Sequence, residues 1–138
     1  MSNGNHLAIV STVASDSHTW NLVFLQLLLE EHGYTVTNLG ACVPDDLLVK
    51  ECRELRPDLV AISSVNGHGH QDGRRVIGAL RACPELFDTP VVIGGKLGVT
   101  GGSYSEELRA AGFTEVFEDG VAHRVDFGEF VRGTGVPV

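Results

Sequence analysis

The sequence feature that most constrains the fold of this chain is a regular alternation between short apolar runs and longer stretches of helical periodicity. Residues 7–13 (LAIVSTV) are apolar and rich in β-branched side chains, as is typical of a strand buried on both faces of a sheet. Residues 22–29 then repeat leucine near helical spacing, and Gly33 supplies the left-handed conformation that ends a helix. Alternation of this kind with short connections predicts an α/β domain with a doubly wound parallel sheet of five strands.

The same alternation continues along the chain, and prolines mark several of its boundaries. Pro44 indicates the start of a helix, Pro57 its end, and Pro90 the start of a strand that stops at Gly94-Gly95. We expect strands at residues 7–13, 34–39, 58–64, 91–93 and 115–117, and helices at 22–29, 44–55, 71–83, 105–111 and 121–131.

Length and charge limit the class of protein. The 138 residues suffice for one domain, which we expect to span residues 1–138 with a core of about 6–131 and a tail, 132–138, that frays. A net charge of -8 and scattered Lys and Arg argue against a nucleic-acid partner. No apolar run approaches the roughly eighteen residues of a membrane span, and no signal-like segment begins the chain. Three cysteines without a CxxC pair indicate neither disulfides nor a zinc ribbon. We predict a cytoplasmic protein without a membrane partner.

In open α/β sheets, ligands bind outside the carboxyl ends of the strands, so the loops that follow the strands are where a site is expected. The chain contains neither GxGxxG nor GxxxxGK[ST], which disfavours the common dinucleotide and nucleoside-triphosphate sites. The loops of interest are therefore residues 15–21, 40–43, 63–70, 94–102 and 118–120.

The first of these loops holds Asp16 and His18, which are suited to a metal site in which the carboxylate orients the imidazole from behind. A solvated loop histidine beside a helix-capping aspartate would give the same pattern. One histidine does not hold a free zinc or iron ion, so a metal here would arrive in a macrocycle that supplies the other ligands. His68 and His70 lie in a glycine-rich loop without a third ligand nearby, and we assign them no metal.

Small residues follow the third and fourth predicted strands. Ser63 and Ser64 either satisfy nearby backbone groups at a strand end or line a buried pocket. Gly94 and Gly95 are either a plain turn or a surface on which a bulky ligand lies against bare backbone.

Taken together, Asp16-x-His18-x-x-Asn21, Ser63-Ser64-Val65 and Gly94-Gly95 resemble the D-x-H-x-x-G, S-x-L and G-G motifs of cobalamin-binding domains. The resemblance covers about residues 7–120 and is nearest to the small subunit of glutamate mutase (methylaspartate mutase). It implies a flavodoxin-like (Rossmann-like) sheet of strand order 2-1-3-4-5.

The resemblance also implies a role for each motif. His18 would be the lower axial ligand of cobalt, with Asp16 hydrogen-bonded behind it, and the displaced nucleotide tail would enter a slot between sheet and helices. Asn21 replaces a motif glycine and Val65 a motif leucine, which puts tail affinity in question. The implied cofactor-binding residues are Ser15, Asp16, Ser17, His18, Asn21, Ser63, Val65, Gly67, Gly94 and Gly95.

The function implied is that of an adenosylcobalamin-dependent carbon-skeleton mutase subunit, converting glutamate to 3-methylaspartate together with a large barrel subunit that carries the substrate residues. Two small and two large subunits would form the hetero-oligomer. Two alternatives stay open. One is a methyl carrier that uses methylcobalamin, although such proteins usually place a helical cap before the domain and only about six residues precede the first predicted strand here. The other is a sensor or partner protein with weakened cofactor binding.

Overall fold

The computed structural model describes residues 6–13, 20–64, 69–95 and 104–118, and it contains one parallel sheet of strand order β2-β1-β3-β4-β5. This confirms the predicted class and strand order. The strands are β1 His6–Thr12, β2 Tyr34–Asn38, β3 Leu59–Ser64, β4 Val91–Gly95 and β5 Glu115–Glu118. The helices are α1 Trp20–Glu31, α2 Asp45–Leu55, α3 Gly69–Arg81 and α4 Tyr104–Ala111, with a 3-10 helix at Pro84–Leu86.

The sheet has an apolar cluster on each face, because alternate side chains of the buried strands point in opposite directions. On one face Ile9, Ile62 and Ile93 pack with side chains of α2, α3 and α4, such as Leu48 and Ile77. On the other face the cluster includes sheet residues such as Ala8, Val10, Ala61 and Val92, together with Leu22 and Leu29 of α1. The continuous apolar runs in the sequence therefore correspond to strands covered on both sides.

Three elements differ from the prediction by two residues at one or both ends. Helix α1 begins at Trp20, so Asn21 lies in the first turn of a helix and not in the preceding loop. Helix α3 begins two residues before the expected Gln71 and ends at Arg81, because Pro84 starts a separate 3-10 helix. Strand β4 continues through Gly94 and Gly95, since both residues pair with β3. The predicted helix at 121–131 and the tail at 132–138 lie outside the described residues.

Helix α3 approaches the sheet closely at one glycine. A Cβ atom added to Gly73 would lie 3.0 Å from Ile93 Cδ1 and 3.3 Å from Leu108 Cδ2, whereas a Cβ atom on Gly78 would meet nothing within 4 Å. Gly73 therefore lets α3 pack against both β4 and α4, and Gly78 faces open space on the same helix.

The amino-terminal edge of the sheet, opposite to the edge where ligands bind in this class of fold, is held together by Arg81. Its Nε donates to Gly112 O at 3.0 Å, and its Nη1 lies 2.9 Å from Leu86 O and 2.7 Å from Thr89 O. Burial lowers the pKa of Arg81, but the guanidinium stays charged at neutral pH. One side chain thus joins the ends of α3 and α4 to the segment that leads into β4.

Candidate functional site

A row of small residues crosses the carboxyl end of the sheet. The parallel register places Thr12 of β1 beside Ser63 of β3, Ser63 beside Gly94 of β4, and Gly94 beside Phe117 of β5. Ser63 and Gly94 were predicted from the sequence as site residues, and the structure brings them side by side. The row therefore consists of small or polar residues on three adjacent strands, and Phe117 of β5 lies at its end.

The small-residue row, defined as Thr12, Ser63 and Gly94, lies on the α1 side of the sheet. Side chains two positions apart on a strand share a face, so Ser63 shares the face of Ala61, which packs in the cluster that contains α1 leucines. Ser63 is 3% exposed and Thr12 is 1% exposed, while Gly94 is partly exposed. A ligand that enters between this face and α1 would meet hydroxyls and bare backbone.

The sequence motifs that carry the remaining predicted ligand groups fall outside the described residues. These are Ser15, Asp16, Ser17, His18, Val65 and Gly67, so their placement stays a prediction. The described ends of the first loop, Val13 and Trp20, are fixed by β1 and α1, and Val13 N donates to Ser63 O at 3.2 Å. The loop that bears Asp16 and His18 thus starts beside the small-residue row.

Asn21, which replaces the glycine of the D-x-H-x-x-G motif, lies in the first turn of α1. A glycine is required where φ is positive, whereas the first turn of a right-handed helix accepts asparagine. The backbone at this position therefore imposes no need for glycine.

The loop after β2 borders the same edge and is fixed by asparagine and glycine. Gly40, at φ +88°, donates its N–H to Asn38 Oδ1 at 2.9 Å, and Asn38 Nδ2 donates to Gln26 Oε1 of α1 at 3.2 Å. Cys42 is exposed and has φ +53°, while Val43 is buried in the core. This loop connects β2, α1 and α2 beside the candidate site.

A charged group at this edge was not predicted from the sequence. Arg75 of α3 donates from Nε to Asp45, the first residue of α2, and from Nη1 to Asp72 Oδ1 at 3.1 Å. The hydrogen bond with Asp45 raises the pKa of Arg75. An ion pair therefore joins the middle of α3 to the start of α2, and Asp72 in the first turn of α3 accepts a hydrogen bond from the same guanidinium.

The described part of the chain contains no group of three or more His, Cys, Asp or Glu side chains that could hold a metal ion, and none of its helices is long and apolar enough to cross a membrane. At the carboxyl edge of the sheet, the described residues present hydroxyl groups and glycines, with the ion pairs of Arg75 beside them.

Fold and sequence together define the class. The pattern of the B12 binding domain matches residues 6–124, so the chain belongs to the B12-binding domain family. The glutamate mutase sigma subunit of Halobacterium salinarum is 30% identical over 120 residues, which cover 85% of this chain and 79% of that subunit.

One further relative and one solved structure are each matched by this chain over only part of their own length. The HTH-type transcriptional repressor CarA of Myxococcus xanthus is 37% identical over 89 residues, 64% of this chain but only 30% of the repressor. The Methanosarcina barkeri monomethylamine corrinoid protein superposes with a TM-score of 0.73 at 16% identity, over 93% of this chain and 58% of the corrinoid protein. The second likeness shows a shared fold.

The described residues fit a cobalamin tail. Gly94 places no side chain next to Ser63, and the neighbouring Thr12 and Ser63 are buried hydroxyl residues on the same face. A bulky side chain at any of these three positions would lie on the face of the sheet that α1 covers.

Proposed function

We propose that the chain is the cobalamin-binding small subunit of an adenosylcobalamin-dependent carbon-skeleton mutase of the glutamate to 3-methylaspartate type. The observation that carries the proposal is the small-residue row on the α1 side of the carboxyl edge, in a chain similar to glutamate mutase sigma subunits over most of its length. The proposed cofactor is adenosylcobalamin, which supplies an adenosyl radical when it is bound.

In this proposal the protein binds and orients the cofactor, and a partner subunit carries out the substrate chemistry. His18 is the cobalt ligand, Asp16 fixes its ring tautomer by a hydrogen bond, and Ser63 with Gly94 accommodates the nucleotide tail. A large barrel subunit would cover the exposed edge and bind the substrate, in a cytoplasmic hetero-oligomer of two small and two large subunits.

Spectroscopy tests the binding claim. The untagged protein is mixed with hydroxocobalamin or adenosylcobalamin, and the spectrum is expected to show the base-off, histidine-ligated form. His18→Ala is expected to lose that form. His6→Ala is the matched control, because His6 lies at the start of β1, at the opposite edge of the sheet. A wild-type spectrum that equals the sum of protein and free cofactor would contradict the proposal.

A regulatory role is the second candidate, and the 37% identity to a transcriptional repressor favours it. In that case the domain binds cobalamin to control another protein. Addition of a glutamate mutase large subunit distinguishes the two functions. If the chain is the mutase small subunit, the mixture turns over L-glutamate, whereas with a regulatory domain it does not. A methyl-carrier role has support only from the shared fold and predicts methyl transfer from methylcobalamin to an acceptor enzyme.

A further inference from the structure

The connection from β2 to α2, residues 39–43, is anchored at both ends, and we call it the β2–α2 loop. At its start Leu39 N donates to Val10 O at 3.0 Å, so the loop continues the pairing of β2 with β1 beyond Asn38. At its other end Val43 is buried in the apolar cluster that side chains of α2 join. The loop therefore lies at the carboxyl edge of the sheet, beside the end of β1.

Asn38 fixes the start of this loop from the α1 side of the sheet. It pairs in register with Val10, whose side chain packs in the cluster that contains α1 leucines, so Asn38 shares a face with Thr12 of the small-residue row. Asn38 Nδ2 donates to Gln26 Oε1 of α1 at 3.2 Å, and Asn38 Oδ1 accepts from Gly40 N–H at 2.9 Å. One amide thus ties the loop to α1 on the face where the small-residue row lies.

The tip of the loop, residues 40–42, is uncharged and open. Gly40 has φ +88°, and a Cβ atom built on it would meet nothing within 4 Å. Cys42 has φ +53° and an exposed side chain. A left-handed backbone at a residue other than glycine is strained, and it persists only where the surrounding contacts fix it. The anchors of the loop supply such contacts, so the tip presents uncharged backbone in a fixed shape.

Such a tip suits a ligand whose rim carries neutral amides, and the corrin ring of cobalamin is surrounded by amide side chains that exchange hydrogen bonds with backbone N–H and C=O groups. Ligands of this class of fold bind outside the carboxyl edge where the strand order reverses, which in this sheet is between β1 and β3. Neighbouring strands lie only about 4.8 Å apart. A macrocycle seated over the end of β1 therefore also covers the end of β2.

On the basis of the proposed function, we propose that the tip of the β2–α2 loop contacts the corrin rim of the cofactor and that Asn38 is a positioning residue for this contact. The three motifs that resemble those of cobalamin-binding domains do not include the loop. The contact is therefore additional to the ligand groups predicted from the sequence.

Protection of Cys42 from a thiol reagent tests the contact in the full chain. The wild type is treated with N-ethylmaleimide in the dark, alone and with saturating methylcobalamin, whose methyl group blocks the cobalt from the thiol. Peptide mass spectrometry follows the modification of Cys42 and of Cys83, a partly buried thiol between α3 and the 3-10 helix at the amino-terminal edge of the sheet. We expect the cofactor to slow the modification of Cys42 about fivefold or more and to leave that of Cys83 within about twofold, because only the thiol beside the ligand is shielded.

A set of variants tests the role of Asn38. Asn38→Ala removes both hydrogen bonds of the amide, and Asn38→Asp keeps the acceptor for Gly40 N–H. Thr35→Ala is the matched control, because Thr35 is exposed on the same strand toward the opposite edge of the sheet. The dissociation constant for hydroxocobalamin, measured by spectral titration, should rise about threefold or more for Asn38→Ala, less for Asn38→Asp, and stay within about twofold for Thr35→Ala. Urea unfolding confirms that each variant is folded.

An unchanged rate at Cys42 in protein whose spectrum shows bound methylcobalamin, or equal slowing at Cys42 and Cys83, would overturn the inference alone. Equal affinity of Asn38→Ala and the wild type would exclude the positioning role of Asn38. A wild type that binds no cobalamin would remove both this inference and the proposed function.

Discussion

Gly73 and Gly78 occupy the same helix but meet different surroundings, so one substitution at each position separates helix propensity from packing. Replacing glycine with alanine inside a helix stabilises it by about 1 kcal/mol. At Gly78 a new Cβ meets nothing within 4 Å, and the expected result is a gain of about 0.5–1 kcal/mol in the free energy of unfolding.

At Gly73 the same gain is opposed by crowding. The new Cβ would lie 3.0 Å from Ile93 Cδ1 and 3.3 Å from Leu108 Cδ2, and both of these side chains are fully buried, so neither moves without disturbing its own neighbours. Overpacking of a core typically costs about 1–3 kcal/mol. Subtracting the gain of about 1 kcal/mol leaves a net loss of about 0–2 kcal/mol for Gly73→Ala.

Urea unfolding measures both variants against the wild type, with the slope of the transition used to confirm that only stability has changed. The difference between the two variants, about 1–3 kcal/mol, reports the packing of α3 alone because helix propensity cancels. If Gly73→Ala were stabilised as much as Gly78→Ala, α3 would not lie this close to β4 and α4.

Three other predictions follow from the described contacts. Gly94→Val should weaken cobalamin binding at least tenfold with the sheet retained, measured by spectral titration and far-UV circular dichroism, and unchanged affinity would exclude the small-residue row from the site. Arg81→Met should lower the free energy of unfolding by about 2–3 kcal/mol, since charge-assisted hydrogen bonds to backbone carbonyls are lost; an unchanged urea midpoint would contradict this role. Burial raises the pKa of Cys52 to about 12 from 9.0. A thiol reagent at pH 8 should therefore modify the exposed Cys42 and leave Cys52 intact in the folded protein. The free energy of unfolding should fall as the pH rises from 9 toward 12, because Cys52 loses its proton more readily in the unfolded chain.

The parallel sheet could be predicted from the sequence because strands buried on both faces leave continuous apolar runs, whereas the strand order came from the resemblance to cobalamin-binding domains. The adjacency of Ser63 and Gly94 follows from that order, since the ends of neighbouring parallel strands meet at one edge. The cofactor was predicted from the resemblance of three motifs to those of cobalamin-binding domains, and not from the hydrophobic periodicity of the chain.

The ion pair between Arg75 and Asp45 could not be predicted in this way. The two residues lie 30 positions apart, and the contact depends on how α2 and α3 are placed relative to one another. The start of α1 at Trp20 could not be predicted either, because a helix boundary next to a polar loop leaves little trace in the hydrophobic periodicity. The close contact of Gly73 with β4 and α4 could not be predicted either, because it depends on packing between elements that are distant along the chain.

The small-residue row draws its members from three strands that are far apart in the sequence, and this has a thermodynamic consequence. An unfolded chain does not present Thr12, Ser63 and Gly94 together, so a ligand that needs all three binds only the native state. Such selective binding adds about 2.7 kcal/mol to the free energy of unfolding when free ligand is at a hundred times its dissociation constant. A rise in melting temperature with cobalamin concentration would therefore report binding to the folded state, and it would do so without any enzymatic turnover.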